Sequence, residues 1–517
     1  MLLWSRAGSP RAPHARREAD LSAIVLHAEE RRFLRAIERA VAANPFSDER
    51  AAIDRELAGA HVAPDRALEP ALARLRAALH ALAARGGATL ADFREADRPL
   101  LRAAFLFDIF HRFAGRFDDL IRAQTRSADA CRVPFAPEAL VALAERGFAP
   151  HDALRYFAIF YQLRRAFFFI HDALVGRSAA MKSLRLALWN NVFTRDVNLY
   201  ERHLWNRMED FSTLLLGETG SGKGAAAAAI GRSGFIPYDE RRGAFAESFT
   251  ASFCAVNLSQ FSAALIESEL FGHRKGAFTG AVDSHEGVFA RCSPHGAIFL
   301  DEIGDAAPPI QIKLLKVLQE REFSPVGSHE RRRFHGRVIA ASHRSLEDLR
   351  RQGLFRDDFF YRLCTDVIRV PPLRQRLAED PAEMDDLLSV LVARILGRPD
   401  AELCALVRRT LDRHPGRGYA WPGNVRELEQ AVRRILLNGR YDGERPEAAA
   451  DPQARLLRGL EAGTLSAEAL LGAYCALLYR RHGSYEEVAR RAGLDRRTVR
   501  KYVERARREQ DAAPPPR

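Results

Sequence analysis

The sequence predicts an α/β domain of the phosphate-loop type, a parallel sheet sandwiched by helices, preceded by an all-α region and followed by a helix-turn-helix. Three observations predict it. An apolar run, Thr213-Leu214-Leu215-Leu216, leads into Gly217-Glu218-Thr219-Gly220-Ser221-Gly222-Lys223 and then into helix-forming residues 225–230. A second apolar run, Ala297-Ile298-Phe299-Leu300, ends in the acidic pair Asp301-Glu302. The stretch 480–510 is basic and sets a glycine turn between two helical periods.

From the N-terminus, residues 1–174 read as helices. Leu21, Ile24, Val25 and Ala28 mark one face, and Phe33, Leu34, Ile37 and Val41 mark the next, before Asn44-Pro45-Phe46-Ser47 interrupts the period. Fourteen aromatics fall between Phe105 and Phe169, about a fifth of that stretch against 9% for the chain. Core packing is the favoured explanation and a ligand pocket the minority one. No receiver pattern of early paired carboxylates, a strand-end Asp and a later Lys is present, so control by a phosphoryl group is not expected.

In the central region the glycines let backbone N–H groups converge on phosphate oxygens, the following helix N-terminus adds a favourable dipole, and Lys223 reaches the outer phosphates. Gly224 stands where a Ser or Thr usually supplies a magnesium ligand. Asp301 is expected to hold magnesium, and Glu302 to orient or deprotonate an attacking water. Acidic pairs at strand ends also serve as helix caps, but a phosphate loop upstream at this spacing favours the catalytic reading. Between these motifs lies Gly276-Ala277-Phe278-Thr279-Gly280-Ala281. A hydrophobic tip flanked by glycines is built to be extruded and to touch something else.

The run Glu267-Ser268-Glu269-Leu270-Phe271-Gly272-His273-Arg274-Lys275, the six-residue loop after it, and Phe299-Leu300-Asp301-Glu302-Ile303-Gly304 closely resemble the AAA+ ATPase domain of bacterial sigma-54-dependent transcription activators, over roughly residues 175–440. The resemblance implies that residues 276–281 contact sigma-54 and that ATP turnover with Mg2+, in a hexameric ring, remodels the RNA polymerase holoenzyme at a closed promoter. It implies a nucleotide cradle from Gly217 to Gly224, although the family usually carries Glu at the position of Gly224. Asn257 looks like the asparagine that keeps the catalytic glutamate unproductive; the plainer alternative is a strand-end turn. Arg356 and Arg362, within Phe355-Arg356-Asp357-Asp358-Phe359-Phe360-Tyr361-Arg362-Leu363, resemble arginines that reach a neighbouring subunit's nucleotide. Arg426, within Trp421-Pro422-Gly423-Asn424-Val425-Arg426-Glu427-Leu428, matches the lid arginine that senses nucleotide in cis. His343 departs from the usual Asn at a position that meets the γ-phosphate, and is read as tuning rather than loss.

Five segments follow: a signal-input region at 1–174, an α/β ATPase part at 175–370, a helical lid at 371–440, a linker at 441–462 and a DNA-binding region at 463–517. Gly443, Pro446, a triple alanine and Pro452 mark the linker. After it Leu470, Leu471, Tyr474 and Leu478 form a packing or dimerisation face. Val488, Ala489 and Ala492 make the apolar face of the next helix, Gly493 supplies the turn, and Asp495 caps a helix whose Val499, Tyr502 and Val503 face inward. Arg496, Arg497, Thr498, Arg500 and Lys501 are then left for phosphates and base edges of double-stranded DNA. Residues 480–510 hold eleven Lys or Arg against five Asp or Glu, half of the chain's net charge of +12. In the family such Fis-like regions pair as dimers.

Composition sets the outer limits. The chain has 517 residues, 28% charged and 47% hydrophobic, ordinary for a soluble multidomain protein. Six scattered cysteines without a C-x-x-C pair suggest neither a disulfide framework nor zinc, and fit a reducing cytoplasm. The most hydrophobic stretch, residues 166–175, is too short to span a bilayer, so no membrane partner is expected. The expected protein is an ATP-dependent transcription activator. The alternatives are an AAA+ unfoldase and a DNA-binding regulator whose ATPase has decayed at Gly224 and His343. Aromatic-rich stretches at 189–208 and 234–239 lengthen the front of the ATPase and are expected to dock the input region.

Overall fold

The computed structural model describes residues 23–59, 62, 66–443, 456–457, 460 and 465–511. Leu21 and most of the expected linker lie outside them. The chain divides into two compact units, one of residues up to Arg408 with Gly423–Val432, the other of Arg409–Pro422 and Arg433 onward. Among the described residues no helix is long and apolar enough to cross a membrane.

The first unit begins with seven helices: α1 (Ala28–Ala42), α2 (Asp48–Ala58), α3 (Leu68–Ala84), α4 (Arg98–Gln124), α5 (Ala136–Glu145), α6 (Pro150–Phe167) and α7 (Ala179–Phe193). A proline in the first turn of α4, α5 and α6 sits where its missing N–H has no intrahelical partner to lose. The break after α1 is held by Asn44, whose side-chain oxygen accepts from Phe46 N at 2.9 Å while Ser47 caps α2. The aromatic excess is largely core: Phe105, Phe113, Phe117, Phe157 and Tyr161 are buried, with Phe117 and Phe135 edge to face at 5.0 Å.

The sheet follows: β1 (Thr213–Leu216), α8 (Lys223–Gly231), the hairpin β2 (Tyr238–Asp239) and β3 (Ala244–Phe245), β4 (Phe253–Asn257), α9 (Ala263–Phe271), α10 (Val288–Arg291), β5 (Ala297–Asp301), α11 (Pro308–Glu320), the hairpin β6 (Glu322–Phe323) and β7 (Arg332–Arg333), β8 (Arg337–Ser342), α12 (Leu346–Arg351), α13 (Asp357–Leu363) and β9 (Asp366–Arg369). Five strands run parallel in the order β4-β5-β8-β1-β9. Successive side chains alternate between two cores, because a strand points them to opposite faces. Leu214, Val338 and Ala340 join the core shared with α9, α11 and α13, while Leu215, Ile339, Ala341 and Ile368 join the core of the N-terminal helices. The N-terminal helices and the back of the sheet therefore share one hydrophobic body.

Helix α6 makes the closest polar link. Arg165, fully buried, donates to Arg232 O at 2.9 Å and to Gly234 O at 2.6 Å, and Gln162 donates to Ser233 O at 2.9 Å. These carbonyls end α8, the helix that starts at the phosphate loop. The lengthened front packs into the same core: Trp189, Phe193 and Tyr200 are buried, and Phe245 of the hairpin stacks on Tyr161 at 3.9 Å.

The lid comprises α14 (Leu373–Glu379), α15 (Glu383–Leu396), α16 (Ala401–Leu411) and α17 (Asn424–Asn438). Glu383, 0% exposed, pairs with Arg376 and accepts from Arg177 N at 2.9 Å and Ser178 N at 2.8 Å at the start of α7. Burial pushes its carboxyl up, but the Arg376 charge and the Ser178 hydrogen bonds outweigh this and hold it below the ordinary carboxylate range. A depressed pKa stabilises the fold above the ordinary value and loses that contribution as pH falls through the lowered one. Glu383→Ala leaves the Arg376 guanidinium buried and uncompensated; urea denaturation is expected to show a loss of about 3–5 kcal/mol.

The second unit contains α18 (Ala467–His482), α19 (Tyr485–Ala492) and α20 (Arg496–Asp511). Gly493, at φ 65°, turns the chain after α19 in a conformation that suits glycine. Val488, Val499 and Val503 are buried as expected, together with Leu478. The face of α18 differs from expectation: Cys475 is buried and Tyr474 is exposed, because Cys475 falls with Leu478 on the side that meets α20.

Candidate functional site

The loop between β1 and α8 owes its shape to two glycines. Gly220 and Gly222 have φ 76° and 110°, and a Cβ on Gly220 would lie 2.2 Å from Gly423 O of the lid. Backbone contact replaces it: Val425 N donates to Gly220 O at 3.1 Å. Ser221 Oγ donates to Glu218 O at 2.8 Å, and the Lys223 ammonium to Gly217 O at 2.9 Å and Glu218 O at 3.2 Å. Burial holds the Lys223 pKa below its ordinary value, against the charges of Glu302 and Asp301. Gly224 faces open space; a Cβ there would meet nothing nearer than Phe299 Cε1 at 4.0 Å.

Two residues that sequence reasoning passed over clamp this loop to the lid. Asn424, 0% exposed, donates to Thr219 O at 3.0 Å and accepts from Leu373 N at 2.7 Å. Arg374 grips the Glu218 carboxylate at 2.6 Å through both guanidinium nitrogens. The signal for Asn424 was its place in the lid motif beside Arg426. Arg426 itself lies close enough for its charge to bear on Lys223 and Asp301.

Asp301 and Glu302 close β5. Burial, then the neighbouring Glu302, raises the Asp301 pKa, with Lys223 opposing. Glu302 has φ 57°, a left-handed conformation that costs a residue other than glycine about 1 kcal/mol or more. Its Oε2 accepts from His343 Nδ1 at 2.6 Å and from His343 N at 3.3 Å. The sequence assigned that restraint to Asn257 and a γ-phosphate contact to His343. Asn257 instead donates to Asp301 Oδ2 at 3.4 Å and accepts from Ser259 N and Oγ at 3.0 and 2.7 Å. The reason is register: Asn257 pairs with Asp301 across β4 and β5, whereas Glu302 has already turned toward the end of β8. A cleft of about 850 Å3, lined by Gly217, Glu218, His343, Val370 and Arg374, opens beside these groups.

Arg356 and Arg362 are not brought to this cleft by any hydrogen bond among the described residues. Both are exposed on or beside α13, Arg356 in a two-pronged pair with Asp358 at 3.0 and 2.7 Å, Arg362 donating to Leu318 O at 3.1 Å. The loop 276–281 lies between α9 and α10. Gly276 N donates to Ala281 O at 2.8 Å, and Gly276 and Gly280 have φ 80° and 99°. Thr279 and Phe278 are exposed, and the Phe278 ring meets His273 edge on at 4.9 Å. Ala277 packs at the base against Gly327 of the β6–β7 hairpin, and Arg274 pairs with Glu330 there.

In the second unit Arg496, Arg497, Arg500 and Lys501 are exposed on α20. Arg496 pairs with Glu486 at 2.9 Å and Arg500 with Glu504 at 2.7 Å. Thr498 is half-buried, and its hydroxyl donates to Asp495 at 2.6 Å in the helix cap.

Residues 197–369 match the sigma-54 interaction domain family. The DNA-binding transcriptional regulator NtrC of Azospirillum brasilense is 40% identical over 262 residues, 51% of this chain and 47% of that protein. The Nif-specific regulatory protein of Azotobacter vinelandii is 40% identical over 233 residues, 45% and 40% of the two chains. The transcriptional regulatory protein ZraR of Klebsiella oxytoca is 38% identical over 297 residues, 56% and 62%. The chain thus spans about half the length of these relatives. The crystal structure of NtrX from Brucella abortus in complex with ADP aligns with 72% of this chain and 80% of that one, at 22% identity and a TM-score of 0.38. Over residues 197–369 the chain is therefore similar to the sigma-54 interaction domain, and over about half of its length it is similar to curated transcriptional regulators.

Proposed function

We propose that this protein is a cytoplasmic transcription activator that hydrolyses ATP as a ring and uses the turnover to open promoters held by the sigma-54 RNA polymerase holoenzyme. One observation carries the reading. The carboxylates at the end of β5 and Lys223 of the phosphate loop lie close enough to influence each other's charge, while the exposed Thr279 loop leaves the same domain elsewhere.

Backbone N–H groups of residues 217–224 bind the phosphates, and Lys223 turns from Gly217 O and Glu218 O to the outer ones. The donors suit a hard cation, since Asp301 offers carboxylate oxygens and the open space at Gly224 leaves room for water. Mg2+, when bound, neutralises charge on the β- and γ-phosphates. Glu302 takes the proton of the attacking water once its carboxylate leaves His343, and the freed Nδ1–H of His343 is then available to a phosphate oxygen. His343 thus does the restraining expected of Asn257. Arg426 reads the nucleotide in cis. Arg356 and Arg362 reach the adjoining subunit's site. The loop 276–281 engages sigma-54, and Arg496, Arg497, Arg500 and Lys501 hold upstream DNA, read as a dimer.

The test is open-complex formation on a sigma-54 promoter with ATP. Thr279→Ala, at an exposed position, is expected to retain wild-type ATPase activity and to lose open-complex formation at least tenfold, measured by permanganate footprinting. Equal open-complex yield from wild type and variant would remove the assigned role of the loop. Absence of ATP turnover at any protein concentration would favour the decayed-ATPase alternative.

A further inference from the structure

A cavity of about 430 Å3 lies inside the first unit, away from the phosphate loop. Its size is in the range of small-molecule sites. Phe107, Phe110, His111, Phe160, Phe167 and Trp189 supply an aromatic wall drawn from α4, α6 and α7. His111 is held neutral, its pKa pushed down to about 3 by burial and by the charges of Arg50, Arg164 and Arg76.

The polar lining is mostly paired. Arg50 meets Asp54 at 2.7 Å, Arg102 meets Glu201 at 3.1 Å, and Tyr156 O–H donates to Glu201 at 3.0 Å. Arg164 grips Asp118 from the cavity's edge. Four arginines and three acids line the space, and among the described residues the exposed Arg202 has neither a hydrogen bond nor an ion pair. Among the described residues Glu38 is the one acid of the lining without a hydrogen bond or ion pair. The lining includes Trp189, Val197 and Asn198, so the cavity is closed partly by the chain that leads into the sheet.

We propose that this cavity is a binding site for a small apolar carboxylate, its hydrocarbon body against the aromatic wall and its carboxylate answered by Arg202. The Arg202 guanidinium offers a carboxylate two N–H donors. Helix α6 forms both the wall, through Phe160 and Phe167, and the Gln162 and Arg165 grip on the end of α8. Occupancy is thereby placed one helix away from the phosphate loop.

The experiment is calorimetric titration of the full chain, without nucleotide, promoter or sigma-54, so its outcome is independent of the activator reading. Benzoate and hexanoate are the probes, with acetate and benzylamine as controls. Saturable binding of benzoate or hexanoate, and none of acetate, is expected; which of the two binds tighter reports whether the body is aromatic or aliphatic. Arg202→Gln, at an exposed position, is expected to weaken binding by about tenfold or more without shifting thermal denaturation. A second variant, Ala103→Phe, fills the space from α4 and is expected to abolish binding. The proposal is overturned if neither acid binds at millimolar concentration, if benzylamine binds as tightly as benzoate, which would assign the site to a cation at Glu38, or if Arg202→Gln binds as wild type.

Discussion

Glu302→Gln is expected to lower ATP turnover about 100- to 10,000-fold, the range lost when a positioned general base is removed. The substitution is nearly isosteric, so it isolates proton acceptance from shape. A Gln carbonyl oxygen still accepts from His343, and the left-handed backbone at φ 57° is unchanged. Nucleotide affinity is expected to stay close to wild type, because the loop from Gly217 to Gly224 and Lys223 are untouched. Steady-state phosphate release together with equilibrium binding of a fluorescent ATP analogue separates the two quantities. Turnover within tenfold of wild type would mean that another group handles the water. The variant also holds ATP unhydrolysed, the condition in which stable association with sigma-54 is expected by gel filtration.

Arg356→Ala is expected to reduce turnover by about a thousandfold or more, as for other arginines that stabilise charge on a transferring phosphoryl group from a neighbouring subunit. The side chain is exposed and pairs only with its near neighbour Asp358, so its removal leaves the fold of its own subunit intact. A mixing experiment distinguishes this role from a local one. Subunits carrying Arg356→Ala keep Glu302, and subunits carrying Glu302→Gln keep Arg356. Where one adjoins the other in a ring, a complete site is restored, and the mixture is expected to hydrolyse ATP faster than either variant alone. No gain on mixing would mean that Arg356 acts within its own chain. Arg362 is less clean a test, because its bond to Leu318 O also ties α13 to α11.

The parts of the site that could be read from sequence are those made by neighbours in the chain. Strand, glycine turn and helix at 213–231 follow from local apolar runs and from glycines that the structure places at φ 76° and 110°. The Gly493 turn and the Asp495 cap are equally local. What sequence did not reveal depends on register between distant strands. His343 meets Glu302 because β8 lies beside β5, and Asn257 meets Asp301 because β4 pairs one residue short of the glutamate. The continuous apolar runs of β1 and β5 implied that both faces of the sheet are covered, but could not say that one of them shares a core with the N-terminal helices. Phe278 is exposed, as its flanking glycines implied; its edge contact with His273, five residues earlier, is what they did not show.

The hydrophobic body shared by the N-terminal helices and the back of the sheet alters how deletions of this protein behave. Cutting away residues 1–174 removes most of the hydrophobic cluster to which Leu215, Ile339, Ala341 and Ile368 belong and leaves three carbonyls at the end of α8 without their donors. Such a fragment presents a broad greasy surface to water and is expected to clump before it can signal anything. The N-terminal helices are therefore better probed by point changes around the cavity than by deletion.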